Sequence, residues 1–358
     1  YNMTIEIQNI KYEFRQFLFD TPKTGKLFPS ESFAVEFLTK WISGGKEFLI
    51  ETSGTTGVKK EIRLKRKWLE ISALQTIQIL NLWEEKIYCC VPSYKIGGMM
   101  MLVRALAGGF EVKIGEPKSD PMTELTLNHD FTFISLVPYQ LTQIISNPVS
   151  LGKLSRFKTI LLGGSDINKE LLQKIQTLPP FFYHTFGMTE TCSHIALKKL
   201  NHDAWPHFKL NPDIEIMTNE EGLLSVKAIQ TGNEWVHTSD IIELFADKNF
   251  DFLGRADFVI NTGGFKVFPE LLETKIKKIL ISKNIPIDVL ITSRPHIDWG
   301  EEIILVTKSL LSLSETDILS ILKPFVEKFE LPKRVIKMDE FPINESGKTD
   351  RMALKGLI

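Results

Sequence analysis

The sequence predicts an α/β protein: a large domain on mostly parallel sheet layers with a small β subdomain, followed by a small α+β domain. Short apolar runs alternate with helical segments over residues 86–184. This alternation is typical of βαβ units, and hence of a buried parallel sheet. Between residues 214 and 252 closely spaced β-like runs are separated by Gly and Asn/Asp turns, which indicates a small antiparallel sheet or barrel.

Residues 1–47 have mixed helical periodicity with a turn-rich break at 21–25, so we predict two helices packed on the core. A strand-like run at 48–50 precedes a Gly/Ser/Thr-rich loop and a long amphipathic segment that begins near Lys65. The regular pattern then comprises apolar runs at 87–91, 99–106, 110–114, 131–135, 141–145 and 159–162, a helix over 169–177, and a run at 181–184.

The small β subdomain is expected to contain runs at 214–217, 223–228 and 235–244. In the C-terminal portion, segments 259–260 and 265–268 flank residues 261–264 as a hairpin, and Pro269 can begin a helix. Further elements are predicted as strands at 289–292 and 303–306, a helix over 315–329 and a final strand at 335–338.

Composition excludes several function classes. The 358 residues include 43 basic and 44 acidic ones, so no global field attracts nucleic acid or anionic lipid, and any phosphate recognition must be local. Three cysteines form no metal spacing or disulfide framework, which favours a reducing cytoplasm. No signal pattern is found, and the most apolar stretch, 96–110, is too short to span a membrane and is interrupted by Arg104.

Residues 52–60 have the composition of a phosphate loop. Gly54 and Gly57 allow a tight turn with inward N–H groups, Thr and Ser hydroxyls add donors, and Lys60 supplies a charge. The spacing is not that of a Walker loop. Taken alone, the stretch is equally well explained as a flexible hairpin or linker.

Two predicted strands end in small or polar residues, and ligands of parallel sheets bind at such ends. The run at 159–162 ends in Gly163-Gly164-Ser165, which allows a flat ring to lie against the backbone. The run at 181 continues as His184-Thr185-Phe186-Gly187-Met188-Thr189-Glu190-Thr191. A lone Thr-Glu pair is more often a helix cap than a site.

These segments resemble the adenylate-forming superfamily of acyl-CoA synthetases, luciferases and peptide-synthetase adenylation domains. The 52–60 stretch is similar to its Ser-Gly-Thr-Thr-Gly-x-Pro-Lys loop, with Lys59 in place of Pro. Further motifs follow in the family's order: Gly-x-Thr-Glu at 187–190, Thr-Ser-Asp at 238–240 with Ser239 for Gly, Gly-Arg-Ala-Asp at 254–257, and Pro342 to Arg351 with Asn344 for Thr. The segment before the phosphate loop is shorter than is usual in the family.

The resemblance implies site residues, ATP, Mg²⁺ and coenzyme A. ATP-binding residues would be Thr52, Ser53, Gly54, Thr55, Thr56, Gly57, Lys60, Gly163, Gly164, Ser165, His184, Thr185, Phe186, Gly187, Asp240 and Arg255. Thr189 would contact phosphate, Glu190 would hold Mg²⁺, and Lys348 would span the carboxylate and the α-phosphate. Asp257 would be the hinge between domains 1–256 and 257–358, and the mobile second domain would bring Gly263 and Gly264 to the pantetheine tunnel. Without the resemblance, Lys348 is a solvated lysine in a terminal turn.

Within the superfamily, residues 187–193 and 92–98 most resemble the o-succinylbenzoate:CoA ligases of menaquinone synthesis, with Lys95 in place of the usual His. The resemblance implies activation of this acid as acyl-AMP, release of pyrophosphate and formation of a thioester, with Lys95, Gly187 and Ser193 near the acid. A cation at 95 would suit a second carboxylate, although Lys95 can equally extend to solvent. The polar residues Thr191, Cys192, Ser193 and His194 favour an aromatic acid that carries a further polar group.

Three alternatives are open. The chain can be another aryl- or acyl-CoA ligase, or a stand-alone adenylation enzyme that loads a carrier protein, and the acceptor thiol would tell these apart. A third possibility is that the chain is a non-catalytic relative. The short N-terminal part suggests this, as do four residues that differ from those usual in the family, namely Lys59, Ser239, Asn261 and Asn344. It is disfavoured by the presence of all the charged motif residues, which are Lys60, Glu190, Asp240, Arg255 and Lys348.

Overall fold

The computed structural model describes residues 3–20, 27–53, 59–165, 167–285, 287–308, 313–343 and 349–358, and only the backbone of 52, 53, 59 and 60. The chain divides into two compact units. The first comprises Tyr1–Ile216, Val226–Val236 and Ala246–Asn249, and the second comprises Met217–Ser225, His237–Phe245 and Phe250–Ile358. No helix in the described ranges is long and apolar enough to cross a membrane.

The first unit alternates strands and helices. Its strands are β1 (Thr4–Ile7), β2 (Ile10–Glu13), β3 (Glu47–Ser53), β4 (Lys59–Lys65), β5 (Lys86–Cys89), β6 (Glu111–Ile114), β7 (Phe133–Leu136), β8 (Thr159–Leu162), β9 (Phe181–Met188), β10 (Ser193–Lys199) and β11 (Lys209–Leu210). Its helices are α1 (Pro29–Ile42), α2 (Arg66–Ile79), α3 (Ile96–Gly108), α4 (Pro138–Ser146), α5 (Pro148–Leu154) and α6 (Lys169–Ile175).

A nine-stranded sheet organises this unit, in the order β11-β10-β9-β8-β7-β5-β6-β1-β2. Neighbours from β9 to β1 are parallel, whereas β2, β10 and β11 pair antiparallel at the two sides. Successive residues of a strand enter different buried clusters, as Phe133 and Ile134 do, because side chains alternate between the faces of a sheet. The predicted α/β class with a mostly parallel sheet is therefore confirmed.

The N-terminal segment differs from the two helices that were predicted. Residues Gln8 and Asn9, with φ of 51° and 63°, form the turn of the β1–β2 hairpin, and among the described residues between β2 and β3 the only helix is α1. The long-range pairing of β1 with β6 buries Ile5 and Ile7, which outweighs the local helical spacing of the aromatic residues nearby. Phe17 is buried from a turn instead of from a helix.

The described residues on either side of the predicted phosphate loop belong to two paired strands. Strands β3 and β4 pair antiparallel as a separate two-stranded sheet, with Thr52 opposite Lys60 and Ser53 opposite Lys59. Gly54, Thr55, Thr56 and Gly57 lie outside the described residues, as do the side chains of Thr52, Ser53 and Lys60. The predicted amphipathic helix follows directly as α2.

The second unit contains a five-stranded sheet and most of a four-stranded sheet. Strands β12 (Glu215–Thr218), β13 (Leu223–Lys227), β14 (Val236–Leu244) and β15 (Phe250–Arg255) form a four-stranded sheet in that order, and β12–β14 correspond to the predicted small β subdomain. A second, five-stranded sheet joins β16 (Ile260–Thr262), β17 (Phe265–Val267), β18 (Val289–His296), β19 (Gly300–Lys308) and β20 (Arg334–Met338). The second unit also contains the helices α7 (Pro269–Ser282), α8 (Glu315–Leu322) and α9 (Arg351–Gly356).

The helix predicted over 315–329 is shorter than expected. It ends at Leu322 because Pro324, just beyond, has no N–H to continue the hydrogen-bond ladder.

The described strands of the four-stranded sheet belong mostly to the second compact unit. A hinge at Asp257, and with it the division into domains 1–256 and 257–358, stays a prediction about motion.

Candidate active site

The ends of β8 and β9 bring two of the predicted ATP-binding segments together in the first unit. Leu162 pairs with His184, and Thr185 Oγ1 donates to the carbonyl oxygen of Leu162 at 3.1 Å. A Cβ added to Gly163 would lie 2.6 Å from Thr185 Oγ1, so this close approach favours glycine. Nε2 of His184 lies 3.2 Å from the carbonyl oxygen of Ser165. The contact of these residues with adenine stays a prediction.

Gly187 is required by the tight β9–β10 hairpin. A Cβ there would lie 2.2 Å from the carbonyl oxygen of Ser193 and 2.5 Å from Cα of His194. A short 3₁₀ turn, Thr189–Thr191, joins the strands, and β10 begins at Ser193, after the single residue Cys192. The Thr-Glu pair therefore does not begin an α-helix, which removes the cap explanation for these two residues.

The carboxylate of Glu190 is exposed and forms no ion pair with another described residue. The described ranges contain no cluster of three or more metal-ligating side chains. This arrangement fits Mg²⁺, which usually binds through one or two carboxylates together with substrate phosphates rather than in an all-protein cage. The ion itself and its contact with Glu190 stay predictions.

A buried cation, Arg104 on α3, lies beside the segment that follows the Thr-Glu pair. The guanidinium is only 2% exposed, and its Nη2 donates to Ser193 Oγ at 2.9 Å and lies 3.4 Å from His194 Nδ1. Its Nη1 approaches Met101 Sδ at 3.8 Å, and its Nε has no hydrogen-bond partner among the described residues. No described carboxylate pairs with this cation, and burial lowers the pKa of Arg104 to about 10.

An uncompensated buried charge is costly, because the protein interior replaces water poorly around an ion. Such a charge fits a site where an anionic ligand completes the pairing. The sequence carries a signal for Arg104, a charge inside the most apolar stretch, although the motifs and their spacing do not predict a binding role for this residue. Lys95, the cation predicted to lie near the acid, is placed just before α3, is partly exposed, and has its Nζ 5.9 Å from the centre of the Tyr94 ring.

The polar residues expected around the acid occupy different environments. The hydroxyl of Thr191 donates to the carbonyl oxygens of Ser193 and Met188, at 2.8 and 3.0 Å. Cys192 is fully buried in the hydrophobic core of the first unit, which raises the pKa of its thiol to about 12. Ser193 and His194 are the members of this group that contact Arg104. Their contact with an acid stays a prediction.

In the second unit the residues predicted to hold ribose form an ion-pair network. Strand pairing sets Asp240 opposite Arg255, and Arg255 Nη1 lies 3.0 Å from Asp240 Oδ1. The same guanidinium donates through Nη2 to Asp257 Oδ2 at 2.6 Å. The structure thus places the predicted hinge residue within the network of the predicted ribose residues.

The turn between β16 and β17 requires glycine for its backbone. Gly263 and Gly264 have φ of 57° and 84°, and a Cβ at either position would meet open space, so conformation and not crowding selects glycine. Their approach to CoA stays a prediction.

Lys348 lies outside the described residues, but the described chain before and after it, at 342–343 and 349–351, is anchored by hydrogen bonds. The N–H of Asp350 donates to the carbonyl oxygen of Pro342 at 2.8 Å, next to a bridge between Ile343 and Thr349. Arg351 then binds Glu273 through two hydrogen bonds, of 2.9 and 2.8 Å. The roles of Lys348 and of the loop stay predictions.

Comparisons with known proteins agree with this arrangement. The 2-succinylbenzoate–CoA ligase of Staphylococcus aureus is 26% identical over 330 residues, which cover 85% of this chain and 65% of that relative. The chain thus spans about two thirds of the length of this relative. The o-succinylbenzoate CoA synthetase of Bacillus subtilis, solved with its acyl-adenylate intermediate, has a similar fold, with a TM-score of 0.71 at 21% identity over 86% of this chain and 68% of that one.

A closer match in extent and identity is the acyl-CoA synthetase (AMP-forming)/AMP-acid ligase II-like protein of Dyadobacter fermentans. It is 31% identical with a TM-score of 0.62, over 93% of this chain and 94% of that one. Residues 48–240, more than half of the chain, match the family of AMP-binding enzymes. They run from the strand before the predicted phosphate loop to Asp240, and on this evidence the chain belongs to the AMP-binding enzyme family.

Proposed function

We propose that this chain is an ATP-dependent acid:CoA ligase that activates o-succinylbenzoate. The observation that carries the choice of acid is Arg104, a buried cation without a described counterion next to the segment after the Thr-Glu pair. o-Succinylbenzoate has one carboxylate to activate and another that remains charged. A monocarboxylic acid would leave the Arg104 charge uncompensated.

In the first step one carboxylate of the acid attacks the α-phosphate of ATP in line, and pyrophosphate leaves. Negative charge is concentrated on the phosphoryl oxygens, so positioned cations and N–H donors supply most of the catalysis. Lys348 would span the acid and the α-phosphate, and the 52–60 loop would hold the β and γ phosphates. Mg²⁺, held by Glu190, would neutralise part of the phosphate charge.

The nucleotide would be oriented by two further groups of residues. Gly163, Gly164, Ser165 and the residues His184 to Gly187 would surround adenine, with Thr189 on phosphate. Asp240 and Arg255 would bind the ribose hydroxyls, and a carboxylate is a suitable acceptor for a vicinal diol. Their ion pair of 3.0 Å supports this role because it orients the acceptor before the nucleotide binds.

In the second step the thiol of CoA attacks the acyl carbon of the adenylate, and AMP leaves. The thiol must reach the carbon that Lys348 covers in the first step, so the part of the chain that carries Lys348 has to move aside. Asp257 would be the pivot, and Gly263 and Gly264 would face the pantetheine arm.

Arg104 supports an acid with a second carboxylate more strongly than Lys95 does. A partly exposed lysine such as Lys95 gains little from an ion pair, because water already solvates much of its charge. A buried guanidinium whose Nε–H has no partner in the described part of the chain gains a charge-assisted hydrogen bond as well as a counterion. The relatives named above that act on succinylbenzoate support the same choice.

The experiment measures pyrophosphate release with o-succinylbenzoate, benzoate and octanoate, each with and without CoA. We expect o-succinylbenzoate to exceed the other acids by at least about tenfold to a hundredfold in kcat/KM, the range set by one unpaired buried group. Thioester should form with free CoA, without a carrier protein. A preference for benzoate or octanoate refutes the substrate, and absence of pyrophosphate release with every acid refutes the ligase activity.

A further inference from the structure

We propose that His194 is a positioning residue for the acid site: a neutral imidazole that accepts a hydrogen bond from Arg104 and sets the guanidinium toward the second carboxylate of the acid. This role rests on the proposed function. His194, on β10, would thus influence the choice of substrate without contacting the reacting atoms.

The hydrogen-bond chain around His194 fixes its tautomer. Arg104 can only donate, so His194 Nδ1, 3.4 Å from Nη2, must be an acceptor. The ring proton then lies on Nε2, 3.3 Å from Thr76 Oγ1. The hydroxyl of Thr76 donates to the carbonyl oxygen of Ser72 at 3.0 Å, which leaves its oxygen free to accept from the imidazole. Each hydrogen bond of this chain thus donates in the same direction, from Arg104 through His194 and Thr76 to the backbone carbonyl oxygen of Ser72 in α2.

The charges around His194 keep it neutral. The residue is 6% exposed, and burial, together with the charge of Arg104, holds its pKa well below the ordinary value. The thiol of Cys89, close to Arg104, is also neutral, because burial raises its pKa to about 12. A protonated His194 would lose its acceptor and set two cations side by side, whereas the neutral ring stabilises Arg104 as a hydrogen-bond partner.

Two acceptors, Ser193 Oγ and His194 Nδ1, together hold one end of the guanidinium, at Nη2. With Nη2 held, the plane of the group is defined, and the Nε–H, which has no partner in the described ranges, is left for a ligand. A guanidinium held by only one acceptor would have to be ordered by the substrate itself, which weakens binding. The effect should therefore appear in KM for the acid with two carboxylates.

The test compares His194→Leu with His194→Asn, whose side-chain oxygen can occupy roughly the place of Nδ1. His194→Leu should lower the ratio of kcat/KM for o-succinylbenzoate over benzoate by about tenfold, mostly through KM, and His194→Asn should restore most of this ratio. The matched control is His129→Leu, because His129 is equally buried, at 6% exposure, but bonds Lys153 and Phe131 instead. Its ratio should not change.

A second readout does not depend on any substrate. In ¹⁵N NMR spectra the imidazole of His194 should be the neutral Nε2–H tautomer through the physiological pH range, and its pKa should rise in Arg104→Met. An ordinary pKa for His194 in the unaltered protein overturns the proposal. Equal losses on both acids in His194→Leu, while the unaltered enzyme prefers o-succinylbenzoate, overturn the positioning role alone. If the unaltered enzyme has no such preference, the proposed substrate and this role fall together.

Discussion

Replacing Arg104 by Met should separate stability from substrate choice. Burial lowers the pKa of Arg104 from its ordinary value of about 12.5 to about 10, so the interior disfavours its charge by about 3 kcal/mol. Met fills most of the same volume without a charge. The substitution removes the hydrogen bonds to Ser193 and His194, but these two side chains lie 3.4 Å apart and can bond each other. We therefore expect a net stabilisation of about 1 to 2 kcal/mol.

The same substitution should remove the charged partner of the second carboxylate. Losing a charge-assisted hydrogen bond in a buried site costs up to about 3 kcal/mol, or roughly a hundredfold in kcat/KM for o-succinylbenzoate. The assays are urea unfolding, read as the shift of the midpoint at constant slope, and pyrophosphate release with o-succinylbenzoate and benzoate. A destabilised variant that loses activity equally on both acids would mean that Arg104 is a structural cation, and would refute the reasoning.

Three other substitutions or conditions test other parts of the proposal. Lys348→Ala should abolish formation of the acyl-adenylate but leave thioester formation from a supplied acyl-adenylate nearly intact. The control is Lys323→Ala, which changes an exposed lysine, and equal loss in both steps of Lys348→Ala would contradict the prediction. Asp257→Pro should fix φ at the predicted hinge, so that the rates of adenylate formation and of thioester formation change by different factors. Asp257→Ala, which only removes the ion pair with Arg255, should leave the ratio of these rates unchanged. Normal rates of both steps in Asp257→Pro would mean that the pivot lies elsewhere. Because His194 and His129 have lowered pKa values in the folded state, the unfolded chain binds more protons below pH about 6.5. Stability should thus fall as the pH drops from about 6.5 to 5.5, by about 1 kcal/mol for His194, and a urea midpoint that is independent of pH in this range would count against neutral, buried rings.

Local patterns in the sequence determined much of the fold. The alternation of apolar runs and helical segments predicted the parallel sheet from β5 to β9, because a strand buried on both faces and an amphipathic helix each leave a distinct period. The β16–β17 hairpin and the start of α7 at Pro269 were predicted from turn residues and from the fixed φ of proline. The motif residues identified the family, because glycines and charged residues at strand ends are short-range features of the chain, whereas the roles of these residues at a site stay predictions.

Tertiary structure alone decided the features that depend on distant partners. The N-terminal segment became a hairpin because β1 pairs with β6, a pairing that no local helical spacing can reveal. The meeting of Arg104 with Ser193 and His194 is likewise non-local, since α3 and β10 are far apart in the chain. The sequence by itself determined which residues can carry charge, hydrogen bonds and tight turns. Only packing decided that Arg104 is enclosed without a described counterion and that His194 is its neutral acceptor, because burial and the distance between charges exist only in the folded chain.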